Sequence, residues 1–267
     1  MTTLGLIAGN GVFPLEVARM ARRQGLRTIA VAHLDETDRE IAEFADTVLW
    51  IKLGELQRII DVFKEARVEQ AAMAGGISRA RLQSAFAPDR RALMMLARLD
   101  RFSDDAVLRG VAAELESEGI KVIDPVPMLQ DILAPAGLLA GPEPTAAQLN
   151  DLGLAFAIAR ALGAFDVGQA VAVRDGVVAA VEAAEGTDAA LRRGALLCGN
   201  RLVIAKAAKP SQDLRFDRPA IGPATIDLLD ELQAAVIGVE AGTAMLLQRE
   251  ATLKRARTCN ITVYGYA

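Results

Sequence analysis

Short apolar runs alternate with helix-like stretches through the first half of the chain, and this alternation limits the fold more than any other feature. LGLIA (Leu4 to Ala8) reads as a buried strand, and Gly9-Asn10-Gly11 turns the chain. A helix with Pro14 near its first position runs to about Gln24, where Gly25 stops it. TIAVAHL and VLWIK are the next strands, and Glu55 to Glu65 forms an amphipathic helix. QAAMAGG (Gln70 to Gly76) is a fourth strand. After a helical stretch through Ala113 to Glu118, IKVID is a fifth. A strand–helix succession of this kind predicts an α/β fold, a Rossmann-like parallel sheet with helices on both faces.

In such a sheet the first turn deserves a chemical reading. Gly9 and Gly11 follow a strand and open a helix, as a phosphate-binding turn does. Pro14 occupies the place of the third glycine of the dinucleotide fingerprint, which favours a nucleotide-like ligand over a nicotinamide cofactor. Asp35 ends the second strand, where a ribose-binding acid belongs. Gly75 and Gly76 end a later strand on the same side of the sheet, so Gly9, Asn10, Gly11, Gly75 and Gly76 together suggest a substrate crevice. The alternative is a tight strand–helix turn without a ligand.

The sequence divides into an N-terminal domain over residues 1–132, a proline-rich connection over 133–147, and a C-terminal α/β domain over 148–267. Thr145 caps a helix from Ala146 to about Leu162. Asp175-Gly176 between alternating apolar runs predicts a hairpin. NRLVIAKA (Asn200 to Ala207) is a strand, Pro223 begins a helix through about Gln233, and NITVYGY closes the chain as a strand. Between AKAAK and the helix at Pro223 lies a segment that crowds Lys206, Lys209 and Arg215 among Gln212, Asp213 and Asp217. Its two prolines predict a loop, where mixed charge on a rigid scaffold suits chemistry; a solvated run of surface ion pairs is the other reading.

Several function classes are excluded. A net charge of −4 and 4% aromatic residues argue against nucleic acid as a partner. No apolar run reaches the roughly 18 residues of a membrane span, and the start lacks a signal peptide, so the cytoplasm is the expected compartment. Cys198 and Cys259 are too few for a disulfide framework and read as buried or half-buried thiols. His33 is the single histidine and reads as a strand-end residue. A histidine-rich metal centre is thereby ruled out within one chain, and a bound metal would be held by oxygen, which favours Mg²⁺ or Mn²⁺.

Four motifs occur in order along the chain: GLIAGNGVFP, GQAVAVRDGVVAAVEAAEGTD, KPSQDLRFDRPAIGP and IGVEAG. With them the whole chain resembles the LpxI-type UDP-2,3-diacylglucosamine pyrophosphatases of lipid A biosynthesis. The resemblance implies a Rossmann-like domain joined to a distinct catalytic domain, with the substrate between them. It also implies a Mg²⁺-dependent hydrolase that cleaves UDP-2,3-diacylglucosamine to UMP and 2,3-diacylglucosamine 1-phosphate (lipid X). Homodimers at the cytoplasmic side of the inner membrane, bound peripherally, are part of the same expectation.

On that reading Asp213 and Asp217 serve the metal and the attacking water, with Glu182, Glu185 and Asp188 in reserve. Lys206, Lys209 and Arg215 hold phosphate oxygens. Gln169, Gln212 and Thr187 act as neutral donors, and Thr225 completes the substrate contacts. One position departs from the family. The pattern after the prolines is Gly-Pro-Asp-Thr-Ile, whereas this chain has Ala224 between Pro223 and Thr225. An alanine can neither bind a cation nor take a proton, so Ala224 reads as an engineered change that disables turnover, or else as natural drift at a dispensable position. Two other classes stay open: a non-catalytic nucleotide-sugar or lipid-binding protein, and a dinucleotide-dependent oxidoreductase.

Overall fold

Leu4, Leu6, Ile7 and Ala8 are buried whichever way they point from strand β1 (Thr3–Ala8), which is how a central strand of a parallel sheet differs from an amphipathic one. The protein is described as a computed structural model covering residues 2–78, 86–129, 131–210 and 212–267. Its contacts divide it into two units. Unit 1 comprises Met1–Gln130 with Asp213–Asp217; unit 2 comprises Asp131–Gln212 with Arg218–Ala267.

In unit 1, β1 is joined by β2 (Arg27–His33), β3 (Thr47–Ile51), β4 (Gln70–Ala74) and β5 (Lys121–Val122), all parallel, in the order β3-β2-β1-β4-β5 among the described residues. The order reverses between β1 and β4. Helix Phe13–Arg23 buries Leu15, Val17, Ala18 and Ala21, carries Pro14 in its first turn, and gives way to Gly25 at φ 70°. Helix Leu56–Glu65 buries Leu56, Ile59, Ile60 and Phe63, the spacing of one helical face. Phe63 is fully buried beside Gly5, where an added Cβ would come within 2.9 Å of its ring. Ser103 caps helix Asp104–Ser117 through the Ala106 N–H. IKVID, expected as a full strand, contributes only Lys121–Val122 to the sheet.

Segment Asp213–Asp217 belongs to this unit although it comes 83 residues after Gln130 by the numbering (213 against 130). Phe216 is the reason. It is buried in the same apolar cluster as Ile7, Ile29, Phe63 and Leu115.

In unit 2, β6 (Gly137–Ala140), β7 (Ala170–Arg174), β8 (Val177–Val181), β9 (Val203–Lys206), β11 (Val236–Glu240) and β13 (Thr262–Tyr266) form a sheet in the order β6-β13-β11-β9-β7-β8. A small parallel pair, β10 (Ala220–Ile221) and β12 (Met245–Leu246), stands apart. The three middle strands β13, β11 and β9 are parallel; β6, β7 and β8 each pair antiparallel. Neighbouring residues send their side chains to opposite faces. Val203 and Val236 join Leu152 and Phe156 of helix Ala146–Gly163 on one side, and Ile204 and Ile237 join Leu191 and Leu253 on the other. Thr145 and Gln148 close a capping box at that helix's start. Asp175 (φ 49°) and Gly176 (φ 78°) make the hairpin turn, left-handed at both positions as a type I′ turn requires.

The stretch 133–147, read as a connection, is partly structural: β6 lies inside it and pairs with β13. The helix expected to run to Gln233 ends at Glu231, with the Gln233 backbone in the left-handed region at φ 50°.

Candidate functional site

Parallel sheets gather ligands beyond the carboxyl ends of their strands, where the strand order reverses. In unit 1 that place holds the turns after β1 and β4, and the two are laced together. The Gly9 N–H donates to Ala74 O at 2.8 Å and the Asn10 N–H to Gly76 O at 2.7 Å. An added Cβ at Gly9 would sit 2.2 Å from Gly76 O, and one at Gly75 would sit 2.3 Å from Asn10 O. These two glycines are required by the approach of one loop to the other. Gly11 differs: it lies at φ 81° with open space where a Cβ would stand.

The acid that reaches this place is Glu36. Its carboxylate accepts from Asn10 Nδ2 at 2.7 Å, from the Ser78 N–H at 3.2 Å and from Ser78 Oγ at 2.5 Å. Asp35, expected in this role, is exposed and takes left-handed backbone at φ 62°; it falls in the turn, and the next residue points back to the sheet. His33 is a buried strand-end residue with Nδ1 2.9 Å from Ala8 O, and burial pushes its pKa down. Thr37 Oγ1 donates to the same carbonyl at 2.6 Å.

In unit 2 one edge of the sheet collects the ends of β9, β11, β13 and β8 and the start of β7. Register places Lys206 opposite Ala170 and beside Val239, with Glu240 opposite Tyr266. Lys206 Nζ donates to Ala220 O at 2.9 Å. This bond ties β9 to the strand that leads into Gly222 and helix Pro223–Glu231. Ala224 is exposed in the first turn of that helix, and the Thr225 hydroxyl accepts from the Gly222 N–H at 3.3 Å. Glu240 holds the loop after β9 through the Ala208 N–H at 2.9 Å and receives Arg160 Nη2 at 3.0 Å.

Lys209 and Gln212 bond to each other twice: the Gln212 N–H donates to Lys209 O, and Gln212 Oε1 accepts from the Lys209 N–H at 2.9 Å. Gln212 is only 9% exposed, and its Nε2 has no hydrogen-bond partner among the described residues. The Gln169 Oε1 atom is buried and likewise without a partner among the described residues. A buried donor left without an acceptor costs about 1–3 kcal/mol. Gln212 therefore offers a bond that an incoming oxygen can complete.

Other expected site residues are committed elsewhere. Lys209 Nζ pairs with Asp166 at 2.5 Å, which offsets its charge. Glu182 accepts from the Gln169 and Ala170 N–H groups and from Thr187 Oγ1, so Thr187 and Glu182 together brace the start of helix Thr187–Cys198. Glu185 binds Arg193, and Asp188 is exposed in the helix's first turn. Gly186, at φ 83°, takes the cap position of that helix.

Asp213 and Arg215 pair with each other inside unit 1. Arg215 Nη2 lies 2.8 Å from Asp213 Oδ2, while its Nη1 reaches Glu116 at 2.8 Å and Val122 O at 3.3 Å. Arg109 stands 3.8 Å from the same carboxylate. The Arg215 guanidinium holds the Asp213 carboxyl well below the usual carboxylate range, and Asp213 pushes Arg215 up in return. Asp217 ends this segment, its N–H bonded to Asp213 O.

These arrangements do not suit the magnesium ion expected from the sequence. Mg²⁺ wants near-octahedral oxygen ligands, usually one or two carboxylates and several waters. Asp213 is occupied by two arginines and Glu182 by three donors. Among the described residues, no three of His, Cys, Asp and Glu form a group that could hold a metal.

Residues 3–132 match the LpxI N-terminal domain model, and residues 135–264 match the LpxI C-terminal domain model. A relative from Caulobacter vibrioides, UDP-2,3-diacylglucosamine pyrophosphatase LpxI, is 36% identical over 282 residues, covering 99% of this chain and 98% of the relative. Among solved structures, the biotin carboxylase subunit of pyruvate carboxylase aligns with 64% of this chain and 35% of its own, at 16% identity and TM-score 0.30. Phosphoribosylglycinamide synthetase from Anaerococcus prevotii aligns with 76% and 44%, at 12% and 0.28. Likeness that slight bears on neither fold nor function. The magnesium-dependent cleavage to UMP and lipid X drawn from the sequence is not upheld: among the described residues no group that could hold a metal is found, and the relative's name supports the general hydrolase role alone. With both halves matched in order and the relative aligned from end to end, this chain belongs to the LpxI family.

Proposed function

We propose that the chain is a pyrophosphate hydrolase whose substrate is UDP-2,3-diacylglucosamine. The observation that carries this reading is Gln212 Nε2, a buried donor without an acceptor among the described residues, on the loop that follows Lys206. Cleavage of a pyrophosphate depends on positioning and on donors that meet charge as it develops. Lys206 supplies the cation at the end of β9, and Gln212 supplies a fixed neutral donor. The N-terminus of helix Pro223–Glu231 adds the positive end of its dipole where its first turn begins.

Ala224 in that turn is where the family pattern has an aspartate. A carboxylate there would be stabilised by the helix N-terminus and could orient or deprotonate water. We assign impaired turnover to this chain for that reason. The reading extends to a homodimer acting peripherally at the cytoplasmic face of the inner membrane, where a diacylated substrate resides. Among the described residues no helix is long and apolar enough to cross a membrane.

The test compares hydrolysis of UDP-2,3-diacylglucosamine by the chain and by its Ala224→Asp variant. The variant is expected to be faster by about a hundredfold or more, the scale of general acid–base assistance. Equal activity would make position 224 dispensable. Substrate binding without turnover in both would instead favour a binding protein.

A further inference from the structure

We propose that Glu240 is a positioning residue of the hydrolase: through the Ala208 N–H it fixes the loop after β9, and so sets where Lys206 and Gln212 present their donors. This inference rests on the pyrophosphatase reading above. It also gives a task to IGVEAG, the motif that reading leaves unused.

Side chains alternate along β11, so Val236, Gly238 and Glu240 share one face of the sheet. That face carries helix Ala146–Gly163, since Val236 lies in one apolar cluster with Leu152 and Phe156. On the helix, Leu152, Phe156 and Arg160 recur every fourth residue and form a single stripe. The two rows meet. An added Cβ at Gly238 would stand 2.4 Å from Leu152 Cδ1 and 3.0 Å from the Phe156 ring, so the glycine lets the helix lie close. Further along both rows, Arg160 Nη2 reaches Glu240 Oε1 at 3.0 Å and its Nε reaches the same oxygen at 3.3 Å. Phe156 stacks on Tyr266, the register partner of Glu240, with ring centroids 4.3 Å apart. The Arg160 guanidinium lies 5.5 Å from the centre of one ring and 6.0 Å from the other. A planar cation that is both stacked and paired is held in place.

Arg160 thus engages one oxygen of Glu240 and leaves the other to the loop. Oε2 accepts from the Ala208 N–H at 2.9 Å. The neighbours of Ala208 are held by other means: the Ala207 N–H donates to Gln169 O at 2.9 Å, and Lys209 Nζ meets Asp166. Glu240 fixes the backbone between them, where the loop leaves the sheet. Its side chain is only 19% exposed, and a bond from an N–H to a carboxylate is stronger than one between neutral groups. Ala208 stands between Lys206 and Gln212, the two donors assigned to the pyrophosphate. Misplacing reacting groups by about 1 Å costs on the order of a hundredfold in rate.

The experiment uses the full chain and two readouts. The first is hydrogen exchange, followed by NMR at the Ala208 amide and at the Ile204 and Ile237 amides in the middle of the sheet. Glu240→Leu is expected to speed exchange at Ala208 by about tenfold or more and to leave Ile204 and Ile237 protected. A general loss of stability would speed all three. The second readout is hydrolysis of UDP-2,3-diacylglucosamine in the Ala224→Asp background. There Glu240→Leu should lower kcat by about ten- to a hundredfold and keep KM within about twofold. Glu240→Gln still offers Ala208 an oxygen and should recover to within about fivefold of the parent. Arg160→Met should fall between the two, and combined with Glu240→Leu it should cost nothing further, because Arg160 acts through Glu240. Three results would overturn the proposal: a Glu240→Leu rate equal to the parent's, a Gln variant as slow as the Leu variant, or equal acceleration of exchange at all three amides. Should Glu240→Leu fail to fold, Arg160→Met decides, and unchanged kcat with unchanged exchange at Ala208 would overturn it too. An Ala224→Asp parent without hydrolysis removes the pyrophosphatase reading and this role with it, whereas hydrolysis by parent and Glu240→Leu alike removes the role alone.

Discussion

Asp213 shows how a side chain can carry catalytic credentials in sequence and a structural task in space. Its neighbours Lys209, Arg215 and Asp217 suggest a charged reaction site, yet its carboxylate is spent on Arg215, with Arg109 close by. The pairing has a pH signature. Arg215 depresses the Asp213 pKa in the folded state below its unfolded value of about 3.9. The stabilisation is therefore fully present above that value and is lost as pH falls through the folded pKa. A double-mutant cycle with Asp213→Asn and Arg215→Met is expected to give a coupling of about 1 kcal/mol at neutral pH, shrinking as pH drops below about 4. Coupling unchanged at pH 2 would mean the pair is not what holds the segment. At this scale the sequence is legible only in part. Gly9 and Gly11 look alike in the string, but Gly9 is needed because Gly76 O occupies its side-chain space, a neighbour 67 positions away (76 − 9). Glu36 went unrecognised in favour of Asp35 because a one-residue difference in a turn decides which carboxylate faces the sheet.

Elements were legible where periodicity is strong. The strands of unit 1, helix Leu56–Glu65, the Asp175-Gly176 hairpin and the capped helix Ala146–Gly163 all follow from pattern and turn chemistry. Helix Arg249–Thr258 was hidden because its sequence, REATLKRART, is mostly polar and buries only Thr252, Leu253 and Ala256. Strand β6 was hidden by the prolines around it, which mark an edge strand as readily as a loop. The segment Asp213–Asp217 is legible as irregular, but its allegiance is not. An isolated Phe216 between charges gives no sign of the core it enters. Phe216→Ala is expected to remove about 3 kcal/mol from unit 1, measured as faster hydrogen exchange at the Leu6 and Val31 amides. Unchanged exchange there would show that Phe216 merely rests on that core.

For the whole molecule, the two-part α/β organisation follows from the switch between a purely parallel sheet and a mixed one, and the family from four motifs in order. What the string does not convey is that the units are not consecutive. The chain leaves unit 1 at Gln130 and returns to it from Asp213 to Asp217. A fragment ending at Gln130 lacks Phe216 and the Arg215–Glu116 bond. It is expected to unfold at lower urea concentration than unit 1 of the full chain, by about 3 kcal/mol or more. Equal stability would show that the returning segment adds nothing.

That return also sets a schedule for protein synthesis. The ribosome must add 87 residues after Gln130 before Asp217 exists (217 − 130). At about 5–20 residues per second this takes roughly 4–17 seconds. Throughout that interval the first unit has emerged without its last core residue, exposing an apolar socket to chaperones and to other nascent chains. The order in which the molecule is made thus differs from the order in which its first half can be finished.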